Sequence, residues 1–173
     1  MREFEKKVVV LSGGLGDIGK AITEAFLNEG AIVAISDRFS PEVAKEKLAL
    51  LNTQSKALHY AQVDVSNSNQ VAAWLGDIKS QFGSISIGVA NAANVTIKNY
   101  RELTDEDWRN EMNVNLNGAF YVANGCAKIF AEHSILGNII FLGSWAAHAV
   151  HKNLPAYSVS KAAIRMLCQS LAL

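Results

Sequence analysis

The chain has 173 residues, half of them hydrophobic, enough for one ordinary core that buries roughly two-thirds of the surface exposed when unfolded. Sixteen basic and sixteen acidic residues cancel, so there is no positive field to draw a phosphate backbone or an anionic membrane, and neither is an expected partner. Cys126 and Cys168 are too few and too far apart to staple a domain, and no stretch approaches the roughly 20 apolar residues that span a bilayer, so a cytoplasmic protein is expected.

Val8 to Leu11 is a continuously apolar, β-branched run ended by Ser12-Gly13-Gly14, which predicts a buried parallel strand entering a turn. Ile18, Ala21, Ile22, Ala25, Phe26 and Leu27 then repeat at helical spacing and stop before Gly30, a residue suited to a left-handed cap. Ala31 to Ile35 predicts a second strand ending on Asp37. Ser40-Pro41-Glu42 reads as an N-cap, a first helical position and an acid near the positive helix end, opening a helix to about Leu51.

Ala57 to Val65 holds a third strand, and a helix from Ser66 or Asn67 carries Val71, Trp74, Leu75, Ile78 and Phe82 on one side before Gly83. Ile85 to Ala90 predicts a fourth strand, with Gly88 inside it, an expensive choice unless something packs close. Thr104 and Asp107 suggest a capping box before a long helix towards Glu132, interrupted at Asn117 and Gly118. Ile139 to Leu142 is the fifth strand, and a last helix opens near Leu154-Pro155. This alternation predicts a three-layer α/β domain with a doubly wound, Rossmann-like parallel sheet, continuous over residues 1–173.

Ser12 to Gly19, SGGLGDIG, lies where the first strand meets the first helix. Glycines there let the backbone approach a pyrophosphate, and free amides at the helix start satisfy its oxygens. Asp37 stands where a carboxylate accepts hydrogen bonds from an adenosine ribose and repels a 2′-phosphate, which favours NAD over NADP. Arg38 pulls the other way, since a guanidinium pairs with phosphate, although it equally stacks on adenine or faces water. Asp64 is placed either to touch an adenine amino group or to serve as an ordinary turn carboxylate.

Tyr157 and Lys161 are four residues apart, hence on one face of the last helix. A phenol, with an ordinary pKa near 10, is a poor base at neutral pH, but a nearby positive charge favours its anionic form. Such a pair exchanges a proton with an alcohol as a hydride leaves its carbon, the hydride being carried by a nicotinamide, because no side chain can do so. Ser144 follows the fifth strand at the edge where ligands collect in open parallel sheets, able to steady charge on a substrate oxygen. Taken singly, the Tyr157 and Lys161 pair is also an ordinary surface pair, and Ser144 an ordinary loop cap.

In these features the chain resembles the short-chain dehydrogenase/reductase family over essentially its whole length. The family's T-G-x-x-x-G-x-G turn is matched from Ser12 to Gly19, its N-N-A-G segment by Ala90-Asn91-Ala92-Ala93, its helical Asn by Asn115, and its Ser and Y-x-x-x-K by Ser144, Tyr157 and Lys161. The resemblance implies Asn115, Ser144, Tyr157 and Lys161 as the catalytic set, Asn115 kinking its helix and holding a water that links Lys161 to solvent. Read alone, Asn115 is a mildly unfavourable helix residue or a satisfied core polar group.

The same resemblance implies Ser12, Gly13, Leu15, Asp17, Ile18, Gly19, Asp37, Arg38, Asp64, Val65, Asn91, Ala92, Tyr157 and Lys161 as the nicotinamide nucleotide site, and a homodimer or homotetramer built on the helices at about 104–132 and 155–173. Asp17 replaces the family's middle glycine and brings a negative charge to the pyrophosphate. Family members also continue for two further strands and a substrate-covering segment, so the chain is expected to be C-terminally incomplete, or else to leave a sheet edge open.

The expected activity is oxidation of a secondary alcohol, or reduction of the ketone. Its pocket rim is formed by Val95 to Tyr100 and Trp145 to Lys152, with Asn99, His148, His151 and Asn153 leaning towards a sugar, polyol or other small polar substrate. His148 and His151 make no metal signature with a nearby acid. The alternative is a non-catalytic nucleotide-binding or regulatory protein of the same fold, motivated by Asp17 and the short chain.

Overall fold

Alternate side chains of a strand point to opposite faces, and the first strand uses both. In the computed structural model, which describes residues 3–49 and 56–172, Val8 and Val10 enter one core while Val9 and Leu11 enter another. The strand, β1 (Val8–Ser12), lies between β2 (Ile32–Asp37) and β4 (Ile87–Ala90). With β3 (Leu58–Gln62) and β5 (Asn138–Phe141) at the edges, the order is β3-β2-β1-β4-β5, with all pairings parallel.

On one face α1 (Asp17–Asn28) and α2 (Pro41–Leu48) bring Leu27 and Ala44 against Val9, Leu11, Val33 and Ile35. On the other, α3 (Ser68–Phe82), α5 (Ala119–Glu132) and α6 (Pro155–Leu171) bring Trp74, Leu75, Val122, Cys126 and Ile164 against Val8, Val10 and Ala34. Full burial of each such Val, Leu or Ile contributes roughly 1.5–3 kcal/mol. Gly88 is explained by this packing, because a Cβ there would stand 2.6 Å from Cys126 Sγ.

The helix ends follow local chemistry. Gly30 adopts φ +85°, and the Gly30 and Ala31 amides donate to Leu27 and Phe26 carbonyls to close α1. The Asn67 side chain accepts from the Asn69 and Gln70 amides to open α3. Thr104 and Asp107 form the reciprocal capping box of α4 (Asp105–Met112). Ser40 departs from its expected role: it holds the cap position of α2 but makes no side-chain cap bond, its hydroxyl instead lowering the pKa of the Glu42 carboxyl.

Several boundaries also differ from the sequence reading. Pairing of β3 stops at Gln62 because Val63 donates to Asp37, the last residue of β2, and Asp64 then begins a turn. Ile85 is buried but precedes β4, and the α2 extension towards Leu51 lies outside the described residues. The long helix is divided by a π-helical stretch, Asn113–Gly118, wider than the interruption expected at Asn117 and Gly118. Gly118 allows this stretch to lie on the sheet side, since a Cβ there would sit 2.8 Å from Val65 Cγ2. No helix among the described residues is long and apolar enough to cross a membrane.

Candidate functional site

Strand order reverses between β1 and β4, and the two strand ends are clasped together. Buried Ser12 Oγ accepts from the Asn91 and Ala92 amides, both at 3.2 Å, while Asn91 Nδ2 donates to the Ser12 and Gly13 carbonyls at 3.0 Å. Ligands of open parallel sheets collect at such a crevice. Ser12, Asn91 and Ala92 thus meet at the turn, where Ser12 and Asn91 chiefly hold its backbone.

Gly13 has φ +68°, and a Cβ on Gly19 would lie 2.2 Å from the Gly13 carbonyl oxygen, so the turn packs directly on the first turn of α1. No side chain caps α1, whose opening amides are left for an anion. This bare cradle fits a nucleotide pyrophosphate. The Asp17 side chain is fully exposed, 4.0 Å from Lys20 Nζ, and an acid in the first turn complements the helix dipole. Ile18 is likewise exposed, whereas Leu15 is buried.

The Leu15 amide reaches across to Asp37, donating to Oδ2 at 3.1 Å, while Oδ1 accepts the Arg38 amide at 2.8 Å. A carboxylate accepts about four hydrogen bonds, so Asp37 retains capacity for a ribose hydroxyl. The Tyr60 hydroxyl donates to the Phe39 carbonyl and lies 3.2 Å from the Asp37 carbonyl oxygen, and burial first, with the Asp37 charge second, pushes its pKa up to about 12. The Arg38 guanidinium lies 5.8 Å from the Phe39 ring centre. Asp64 Oδ1 accepts from the Ser66 amide and hydroxyl, the turn role weighed for it, and the Val65 side chain is buried in the core.

Beyond β5, Pro155 opens α6, which carries Tyr157 and Lys161 one turn apart. Lys161 is 3 % exposed, with Nζ 5.6 Å from the Tyr157 ring centre and donating to the Leu142 carbonyl at 2.8 Å. Burial pulls its pKa down, and no carboxylate pairs with it among the described residues. Such an ammonium favours negative charge on a neighbouring oxygen. Ser144 Oγ accepts from the Ala146 amide at 3.1 Å, capping the short 3₁₀ turn Trp145–Ala147, and its own hydrogen remains able to donate.

Asn115 lies within the π-helical stretch, fully buried. Its Oδ1 accepts the Asn94 amide at 2.7 Å, and its Nδ2 donates to the Asn94 carbonyl at 2.8 Å and to Ser160 Oγ at 3.1 Å. Ser160 in turn donates to the Tyr157 carbonyl at 2.8 Å. Asn115 therefore reaches the Tyr157 and Lys161 helix through Ser160.

Ser160 escaped the sequence reading, as did Glu111, although Asp107, Glu111 and Asn115 fall at successive i, i+4 positions. On the rim, Trp145 and His151 pack edge to face with ring centres 3.7 Å apart, and His148 lies by Arg165. No cluster of metal-ligating side chains occurs among the described residues.

The family profile described as short chain dehydrogenase matches residues 7–173. The chain is 28 % identical to Glucose 1-dehydrogenase 2 of Bacillus subtilis, over 99 % of this chain and 67 % of that protein. It is 33 % identical to a probable NADP-dependent mannitol dehydrogenase of Yarrowia lipolytica, over 96 % of this chain and 60 % of that one. Among solved structures, a short chain dehydrogenase from Bacillus anthracis superposes with a TM-score of 0.91 at 29 % identity, covering 96 % of this chain and 69 % of the other. The chain thus spans roughly two-thirds of the length of proteins it matches.

Proposed function

Since the chain belongs to the short-chain dehydrogenase family, we propose that it is an oxidoreductase exchanging a hydride between NAD(H) and a secondary alcohol or the matching ketone. A bound nicotinamide nucleotide supplies the hydride acceptor or donor. The carrying observation is the buried Lys161, its Nζ 5.6 Å from the Tyr157 ring centre and bonded to the Leu142 carbonyl just past β5.

In the oxidation direction the Tyr157 oxygen takes the hydroxyl proton, and in reduction it returns one. Lys161 directs its remaining N–H groups at ribose hydroxyls. Ser144 donates to the substrate oxygen, steadying charge that develops there. Asn115 positions α6 through Ser160. Mixing the purified protein with NAD and a panel of alcohols, while following nicotinamide absorbance, tests the assignment; unchanged turnover in Tyr157→Phe would remove Tyr157 as the proton carrier.

NAD is favoured because the Asp37 carboxylate ends β2 where a 2′-phosphate would meet it. The NADP-dependent relative and Arg38 define the competing outcome. The proposed substrate is a sugar, polyol or similar small polar molecule, supported by Asn99, His148, His151 and Asn153 on the rim and by relatives named for glucose and mannitol.

A homo-oligomer through α4, α5 and α6 completes the proposal. Phe120, Val159 and Met166 leave apolar side chains exposed on these helices. Sedimentation at several concentrations tests this, a monomer throughout refuting it.

A further inference from the structure

Glu111 is fully buried, on α4, one turn after Asp107 and one turn before Asn115. These three side chains hold alternate residues of the segment that follows β4. Asn115 takes both the amide and the carbonyl of Asn94, at 2.7 and 2.8 Å. Glu111 Oε2 accepts the Thr96 amide at 3.0 Å, and Asp107 Oδ2 accepts from Lys98 Nζ at 2.6 Å. The same segment continues to the approach of α6, where the Lys98 amide donates to the Asn153 carbonyl at 3.1 Å. Val95 and Ile97, between the held positions, are left 46 % and 74 % exposed.

Packing alone gives no reason for a carboxyl at the middle rung. Glu111 Oε1 is buried with no hydrogen-bond partner among the described residues, an arrangement that costs stability, and burial pushes the pKa up. An apolar side chain would fill the place without that penalty. What such a side chain would lose is the acceptor for Thr96.

We propose that Glu111 is a positioning residue of the candidate site, fixing the rim segment 94–98 between α4 and the approach to α6 by holding the Thr96 amide. The consequence for substrate rests on the dehydrogenase reading above; the hold on the segment does not.

Amide hydrogen exchange over 94–98, with thermal unfolding, in wild type, Glu111→Gln and Glu111→Met tests it. Gln keeps an acceptor and should leave exchange close to wild type. Met removes the acceptor and should raise exchange over 94–98 by about tenfold, as expected when the bond closing a local segment is lost. The unfolding midpoint of Glu111→Met should not fall, because the buried carboxyl has gone. Unchanged exchange in Glu111→Met, or an equal rise in Glu111→Gln, overturns the proposal.

A measurement on the wild-type chain makes the test independent of how Glu111→Met folds. The Thr96 amide proton shift should follow the titration of the Glu111 carboxyl, which is distinguishable from Asp107 because Asp107 titrates at about 2. A Thr96 amide blind to Glu111 overturns the proposal. Where an alcohol is turned over, Glu111→Met should raise KM more than it lowers kcat. If exchange changes as stated but no alcohol is oxidised, the dehydrogenase reading fails and the positioning role stands.

Discussion

Asn91 Nδ2 donates to the carbonyl oxygens of both Ser12 and Gly13 at 3.0 Å, so the end of β4 fixes the glycine turn at the end of β1. Replacing Asn91 by Ala removes both bonds from partly buried carbonyls and should cost about 1–3 kcal/mol. Chemical denaturation measures the loss, and nucleotide affinity should fall with it.

Two substitutions in the turn should behave oppositely. Gly19→Ala drives a Cβ to 2.2 Å from the Gly13 carbonyl oxygen, so the cradle must open, and NAD affinity should drop by at least about tenfold. Asp17→Gly removes a solvent-facing charge and should change NAD affinity by less than about tenfold, while losing about 1 kcal/mol of helix stability. Titration calorimetry separates them.

Asp37→Asn keeps an acceptor for Leu15 or Arg38 but removes the negative charge. The ratio of NADP to NAD affinity should rise about tenfold, the effect of one relieved like-charge contact of about 1.4 kcal/mol. An unchanged ratio would show that Asp37 does not face the 2′-position.

The sequence made much of the fold legible because its signals are local. The continuous apolar run of Val8 to Leu11, the Gly30 cap and the Thr104 and Asp107 box each act within a few residues, and the structure repeats them. Tyr157 and Lys161 could be paired for the same reason, by helical spacing. Glu111 could not be singled out in this way. It reads as one more acid after Asp105, Glu106 and Asp107, and its burial depends on a segment arriving from β4. The end of β3 was overextended because pairing is set by where β2 stops, a fact held in the partner strand. The room that Gly118 needs beside Val65 is likewise set by a residue far away in the chain.

The two acids that grip the rim segment should move stability in opposite directions with pH. Hydrogen bonds from Lys98 and Thr104 hold Asp107 at about 2, against an ordinary 3.8. Its contribution is therefore present above 3.8 and is lost as pH falls towards 2. Glu111, raised from an ordinary 4.5 chiefly by burial, binds its proton more tightly when folded. Its penalty is absent below 4.5 and grows as pH rises through the raised value. Urea unfolding across pH should show Asp107→Asn losing its deficit against wild type at low pH. Glu111→Gln should gain relative to wild type as pH rises above 4.5.

The oxygen of Tyr157, next to the Lys161 ammonium, is the proposed carrier of the substrate proton. The most direct test of this role is the single-turnover rate of NAD reduction by an alcohol substrate in wild type and Tyr157→Phe, with NAD affinity measured alongside. The substitution should lower the rate by about 10²–10⁴-fold and leave NAD affinity nearly unchanged. A Tyr157→Phe protein that reduces NAD at the wild-type rate would contradict that role.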